Sequence, residues 1–142
     1  MQQPIVISGA GILGCYISCA LSLQGIDSIV LEKKDDEVED SVRTITLNPF
    51  SKNLLDKIGI ENDYSMINKM EVKDFDGTGK IVFKSSEIGM DHLAYVSDFA
   101  TLLMAVRKIA SENILYKDEI IDIDKKGDLN AVSYTHLTLP TS

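Results

Sequence analysis

The chain has 142 residues, with 44% hydrophobic and 25% charged side chains, enough for one domain with a real core and too short for two ordinary ones. Its formal net charge of −8 argues against a nucleic-acid surface, because phosphate binding needs clustered Lys and Arg, and the lysine pairs Lys33-Lys34 and Lys125-Lys126 are each followed by acidic residues. The cysteines Cys15 and Cys19 stand four apart, lack the spacing of a redox or zinc site, and read as small buried residues on a helix, so no metal site is expected.

Residues 4–8 (PIVIS) form a continuous β-branched run, the pattern of a strand buried on both faces. Glycines follow, and residues 12–24 then read as a helix of small and aliphatic residues stopped by Gly25. No charged residue stands between Ile5 and Ile26, a span long enough for a bilayer. Gly9, Gly11 and Gly14 interrupt that run, Ser18, Ser22 and Gln24 dot its second half, and no basic segment precedes it. Neither a transmembrane helix nor a signal peptide is therefore expected.

Residues 28–32 (SIVLE) read as a second buried strand and residues 33–40 as a charged loop. Residues 42–48 are of extended type. Pro49 suits the first turn of a helix capped by Asn48, with Leu54, Leu55 and Ile58 on its apolar face and Gly59 at its end. Two strands, residues 70–75 and 80–83, flank the hairpin chemistry of Asp76-Gly77-Thr78-Gly79. Residues 93–96 suit a further strand, and Ser97 or Asp98 can cap a helix running to about Ser111. Leu102, Leu103, Val106 and Ile109 would face inward on it, and residues 114–123 read as a final strand.

The chemistry lies in Gly9-Ala10-Gly11-Ile12-Leu13-Gly14, which fits GxGxxG in its required setting of strand, helix and second strand. Gly9 allows the tight turn, Gly11 lets a pyrophosphate approach the backbone, and Gly14 lets helix and strand close together. The first N–H groups of the helix, from Gly11, Ile12 and Leu13 onward, then face the phosphates with the positive end of the dipole. Glu32, ending the second strand with Lys33 beside it, is placed to accept hydrogen bonds from an adenosine ribose. Its charge would repel a 2′-phosphate, which disfavours NADP at this site. The glycines alone leave FAD and NAD open.

Residues 43–60 (RTITLNPFSKNLLDKIGI) resemble a segment of the FAD-dependent aromatic-ring hydroxylases, most closely the ubiquinone-biosynthesis hydroxylases. Those proteins have an arginine after the second strand and then a serine-containing helix ending in Leu-x-x-x-Gly. Residues 70–83 are similar to the hairpin that follows there, and residues 93–98 (LAYVSD) resemble a step into a helix, with Ser97-Asp98 where many members have Glu-Asn. The resemblance covers roughly residues 4–124 and moves the expected cofactor from NAD to FAD.

The resemblance implies an α/β fold: a Rossmann-like FAD-binding βαβ unit with the start of an inserted β-hairpin substrate domain. The expected division is 1–62 for the βαβ unit and following helix, 63–97 for the substrate-domain strands, and 98–131 for a return to the FAD-binding domain. It implies that Arg43 lies near the flavin or pyrophosphate, joining Gly9, Gly11, Ile12, Leu13, Gly14, Glu32 and Lys33 as cofactor-binding residues. It also implies an enzyme that uses NAD(P)H and O2 to hydroxylate a polyprenylated phenol. The expected location is cytoplasmic, and the lipid-like substrate leaves peripheral association with the inner membrane or a biosynthetic complex open. Two later family segments, a further Asp-Gly pair and Gly-Asp-Ala-x-His, would lie beyond the expected truncation, and no catalytic acid, base or nucleophile is assigned.

Two other classes share the glycines and Glu32: a different FAD oxidoreductase, such as an amine oxidase or dehydrogenase, and a non-catalytic dinucleotide-binding module. The first would not predict the segment around Arg43 or the Asp76–Gly79 hairpin, and the second would predict a complete, soluble domain at this length. Residues 132–142 (VSYTHLTLPTS), which contain His136, resemble the conceptual translation of a sequencing adapter. They are expected to be a non-native tail, which would make the chain an N-terminal fragment truncated near Asn130 or Ala131.

Overall fold

A computed structural model describes residues 3–39, 42–127 and 129–135, without the side chains of Lys126 and Leu129. The chain divides into two compact units. One joins the residues up to Glu39 with those from Leu103 onward, and the other is the intervening segment up to Leu102.

The first unit is a parallel α/β layer. Strand β1 (Ile5–Ser8) leads into helix α1 (Ile12–Leu23) and then strand β2 (Ser28–Glu32). β1 pairs in parallel with β2, Ile5 opposite Ser28 through Ser8 opposite Leu31. On the other side of β2 lies β8 (Ile114–Tyr116), also parallel, with Val30 opposite Ile114. The strand order β1-β2-β8 makes β2 the central strand, and Val30 and Leu31 are almost wholly buried. β1 was expected to be buried on both faces; it is instead an edge of this sheet, and Ile5 is 44% exposed.

Helix α1 packs on this sheet with Cys15, Ser18 and Cys19 buried, and both cysteines are free thiols. Ser18 Oγ meets Ser28 Oγ at 2.8 Å and accepts from Asn113 Nδ2 at 2.9 Å, so the hydroxyl buried in this apolar face is satisfied. The expected strand over residues 114–123 is two strands. β8 ends at Tyr116, Lys117 adopts φ 61°, and β9 (Ile120–Lys126) follows. β9 pairs antiparallel with β10 (Leu129–Tyr134), which takes in the start of the stretch expected to be a non-native tail. His136 and the residues after it lie outside the described residues.

In the second unit, β7 (Ala94–Asp98) is the middle strand of an antiparallel sheet, between β3 (Thr44–Leu47) and β4 (Ser65–Ile67). Helix α2 (Pro49–Lys57) opens on the expected cap, Asn48 Oδ1 accepting from Ser51 N–H at 2.8 Å. Strands β5 (Lys69–Lys73) and β6 (Lys80–Lys84) form the expected hairpin, closed by Asp74 N–H to the Gly79 carbonyl at 3.0 Å. Their register puts Met70 opposite Phe83 and Val72 opposite Ile81 on one face, all four substantially exposed. On the other face Glu71 reaches Lys80 at 3.0 Å and Lys73 at 3.2 Å. These ammonium groups hold its carboxyl below the usual carboxylate range.

Helix α3 (Phe99–Ala110) is capped by Asp98, whose Oδ1 accepts from Thr101 N–H at 2.7 Å and whose carboxyl is thereby held below its ordinary value. Leu102, Leu103 and Val106 are buried as expected. Ile109 is not: it is 43% exposed, because it falls at the margin of the apolar stripe. Among the described residues no helix is long and apolar enough to cross a membrane.

Candidate functional site

The carboxyl ends of β1 and β2 open on the turn into α1, where an open parallel sheet binds its ligands. Gly9 turns the chain with φ 96°, a conformation that side chains with a Cβ rarely adopt. A Cβ at Gly14 would fall onto the Gly9 carbonyl oxygen and lie 3.4 Å from Ile7 Cγ2, so only glycine lets the helix sit this close to the strand. Gly11 has a different reason to be glycine. Its backbone is ordinary, at φ −76°, and a Cβ there would meet nothing within 4 Å. The space it leaves open lies in front of the helix N-terminus, where a ligand backbone could approach.

Gly11 is the N-cap of α1 and supplies no side-chain cap, while the first backbone bond within the helix runs from Cys15 N–H to the Gly11 carbonyl at 3.0 Å. The N–H groups of Gly11, Ile12 and Leu13 therefore remain for an external anion. Leu13 is 69% exposed, as a residue of that open turn should be.

Glu32 stands where the sequence put it, at the end of β2. Its side chain is only 13% exposed, and both oxygens are engaged. Oε2 accepts from Ala10 N–H at 2.9 Å, inside the glycine turn, and Oε1 accepts from Lys34 N–H at 3.1 Å. A carboxylate has about four acceptor positions, so ribose hydroxyls can still be received. Beside it a cleft of about 420 Å³ is lined by Ser8, Gly9, Leu31, Glu32, Lys33, Asp118, Glu119 and Ile120. Three of these side chains are carboxylates, which makes the cleft hostile to a 2′-phosphate.

One residue of this site was not anticipated. Arg107, on the last turn of α3, donates from Nε to the Ala10 carbonyl at 2.8 Å and places Nη2 3.7 Å from Glu32 Oε2. Its guanidinium also lies 5.6 Å from the centre of the Tyr116 ring. No local pattern announces this, because the partners are 97 residues apart in sequence. Cys15, one residue after Gly14, has its thiol pushed up to about 11 by burial, against the opposing pull of Arg107.

Of the expected cofactor-binding residues, Gly9, Gly11, Ile12, Leu13, Gly14, Glu32 and Lys33 come together in the first unit. Arg43 belongs to the second, where its guanidinium lies 4.6 Å from the centre of the Phe99 ring. His92 meets Asn68 Oδ1 through Nδ1 at 2.6 Å and packs edge-on against Tyr95. Among the described residues no group of His, Cys, Asp or Glu could hold a metal ion.

An open turn of N–H donors next to a half-buried carboxylate fits a pyrophosphate joined to an adenosine ribose. The family comparison agrees: residues 2–114 match the family described as FAD binding domain. The chain belongs to that family. FAD is accordingly the cofactor, and the α/β fold is that of an FAD-binding domain.

Solved structures share the fold at low identity. The p-nitrophenol 4-monooxygenase PnpA from Pseudomonas putida DLL-E4 is 16% identical, with a TM-score of 0.75 over 94% of this chain and 36% of its own. Klebsiella pneumoniae HpxO, solved with FAD and uric acid, is 19% identical, with a TM-score of 0.71 over 94% of this chain and 35% of its own. The Diels-Alderase PyrE3 of pyrroindomycin biosynthesis is 21% identical, with a TM-score of 0.71 over 92% of this chain and 29% of its own. The chain thus spans about a third of the length of these proteins.

Proposed function

We propose that this chain is the FAD-holding portion of a flavin-dependent monooxygenase that hydroxylates a phenolic ring, polyprenylated as in ubiquinone biosynthesis. The observation that carries the FAD part is the Glu32 carboxylate fixed by Ala10 N–H beside an uncapped helix N-terminus. Membership of the FAD binding domain family supports the same reading. Gly11, Ile12 and Leu13 would hold the pyrophosphate through their N–H groups, and Glu32 would accept from the adenosine ribose. Lys33 at the cleft edge and Arg43 complete the proposed set, Arg43 offering a permanent charge and a forked donor toward phosphate or flavin.

The choice of hydroxylase over oxidase or dehydrogenase rests on the segment around Arg43 and the hairpin of β5 and β6. The fold alone does not decide it, since a protein named a Diels-Alderase shares it. When bound, FAD supplies the redox chemistry, taking electrons from NAD(P)H and using O2 to hydroxylate an electron-rich ring. A polyprenyl substrate would bring the whole protein to a membrane surface as a peripheral enzyme.

The test uses the whole protein. It should purify yellow, with a flavin spectrum, oxidise NAD(P)H faster when a prenylated phenol is added, and return that phenol one oxygen atom heavier from labelled O2. A colourless protein that takes up only NAD would overturn the reading. A yellow protein that hydroxylates simple phenols but ignores the prenylated ones would remove the ubiquinone assignment alone.

A further inference from the structure

The glycine turn and the ribose carboxylate are tied together by one side chain, and the geometry points to Arg107 as a positioning residue for the cofactor's ADP half. This inference rests on the FAD reading above. The Ala10 residue is held at both ends: its N–H donates to Glu32 Oε2 at 2.9 Å, and its carbonyl accepts from Arg107 Nε at 2.8 Å. In a trans peptide the carbonyl and the following N–H point in opposite directions. Holding the Ala10 carbonyl toward Arg107 therefore turns the Gly11 N–H away from Arg107.

The Arg107 guanidinium also places Nη2 3.7 Å from the Glu32 oxygen that receives Ala10 N–H. One cation thus fixes the peptide plane that presents the first phosphate donor and neutralises the carboxylate that would receive the ribose. These bonds are all made within the protein itself, and a donor held by them needs less ordering on binding. The third nitrogen, Nη1, is buried without a hydrogen-bond partner. Burying that unmet donor is unfavourable, so the side chain's own hydrogen-bond satisfaction does not account for its place under the turn. A lysine could not reproduce the arrangement, having a single nitrogen where Arg107 uses two separate ones.

The test compares FAD and FMN binding by flavin fluorescence in the whole protein carrying Arg107→Met, Arg107→Lys and Glu32→Gln. Arg107→Met should weaken FAD binding by about 10- to 100-fold, the scale of losing a charge-assisted hydrogen bond. FMN, which lacks the adenosine half, should bind the variant as it binds the wild type. Arg107→Lys should recover little of the FAD loss, and if the methionine variant does not fold, the lysine variant carries the comparison. Arg107→Met combined with Glu32→Gln should lose less than the product of the single losses, because the two residues act as a unit.

Equal losses for FAD and FMN would reduce Arg107 to a general support of the fold and overturn the inference. Unchanged FAD binding in the variants, or strictly multiplicative losses with Glu32→Gln, would overturn it as well. Wild-type protein that binds no FAD would instead bring down the cofactor reading on which the inference stands.

Discussion

Strands β2 and β5–β6 both carry apolar side chains and meet opposite fates. β2 is a continuous run, central in its parallel sheet, and Val30 and Leu31 are 0% and 2% exposed. The ribbon alternates, so Met70, Val72, Ile81 and Phe83 share one face while Glu71 and the lysines share the other. Those four side chains remain 39–58% exposed. A two-stranded ribbon has little intrinsic stability, and its apolar face contributes only when something covers it. The candidate cofactor site therefore stands at the end of a strand whose central side chains are already buried within this chain.

The sharpest way to break that contrast is Gly14→Val. The new side chain would collide with the Gly9 carbonyl, and helix and strand would have to separate. The expected cost is at least about 3 kcal/mol in urea unfolding, together with loss of FAD binding. Next comes a matched pair. Leu31→Ala should cost about 3 kcal/mol, whereas Phe83→Ser, on the exposed ribbon face, should stay within about 0.5 kcal/mol. Equal effects would mean that the ribbon is covered after all.

The smallest effect expected is a pH dependence at Asp98. Its folded carboxyl lies below the ordinary aspartate value of 3.8, because Thr101 N–H bonds the charged form. A depressed value means that its contribution is fully present above the ordinary value and is lost as pH falls through the folded one. Asp98→Asn should accordingly remove a small part of the acid sensitivity of unfolding below about pH 4. An identical acid limb in the variant would show that the cap is not pH-linked.

Much of this was legible because it is local. The βαβ order, the glycine turn, Glu32 at the end of β2, the Asn48 cap and the β5–β6 hairpin each follow from a few neighbouring residues. What was missed depends on distant partners. β4 has only three residues and exists by pairing with β7. β10 exists by pairing with β9, in a stretch whose composition gives no strand signal of its own. The single expected strand over residues 114–123 breaks at Lys117 and Asp118, where N–H groups turn back to the carbonyls of Lys34 and Glu32. Arg107 carries no local signal of its own, and only the fold sets it beside Ala10 and Glu32.

The buried Cys15 carries a consequence for durability. With its thiol pushed up to about 11, roughly one molecule in ten thousand holds a thiolate at neutral pH. The thiolate is the form that peroxide attacks, and oxidation would put a sulfenic acid, larger and polar, one residue from the close approach of Gly14 to Gly9. The glycine turn thus has beside it a buried thiol held in its unreactive form. Burial, which gives the helix its grip on the sheet, also shields that grip from oxidative wear.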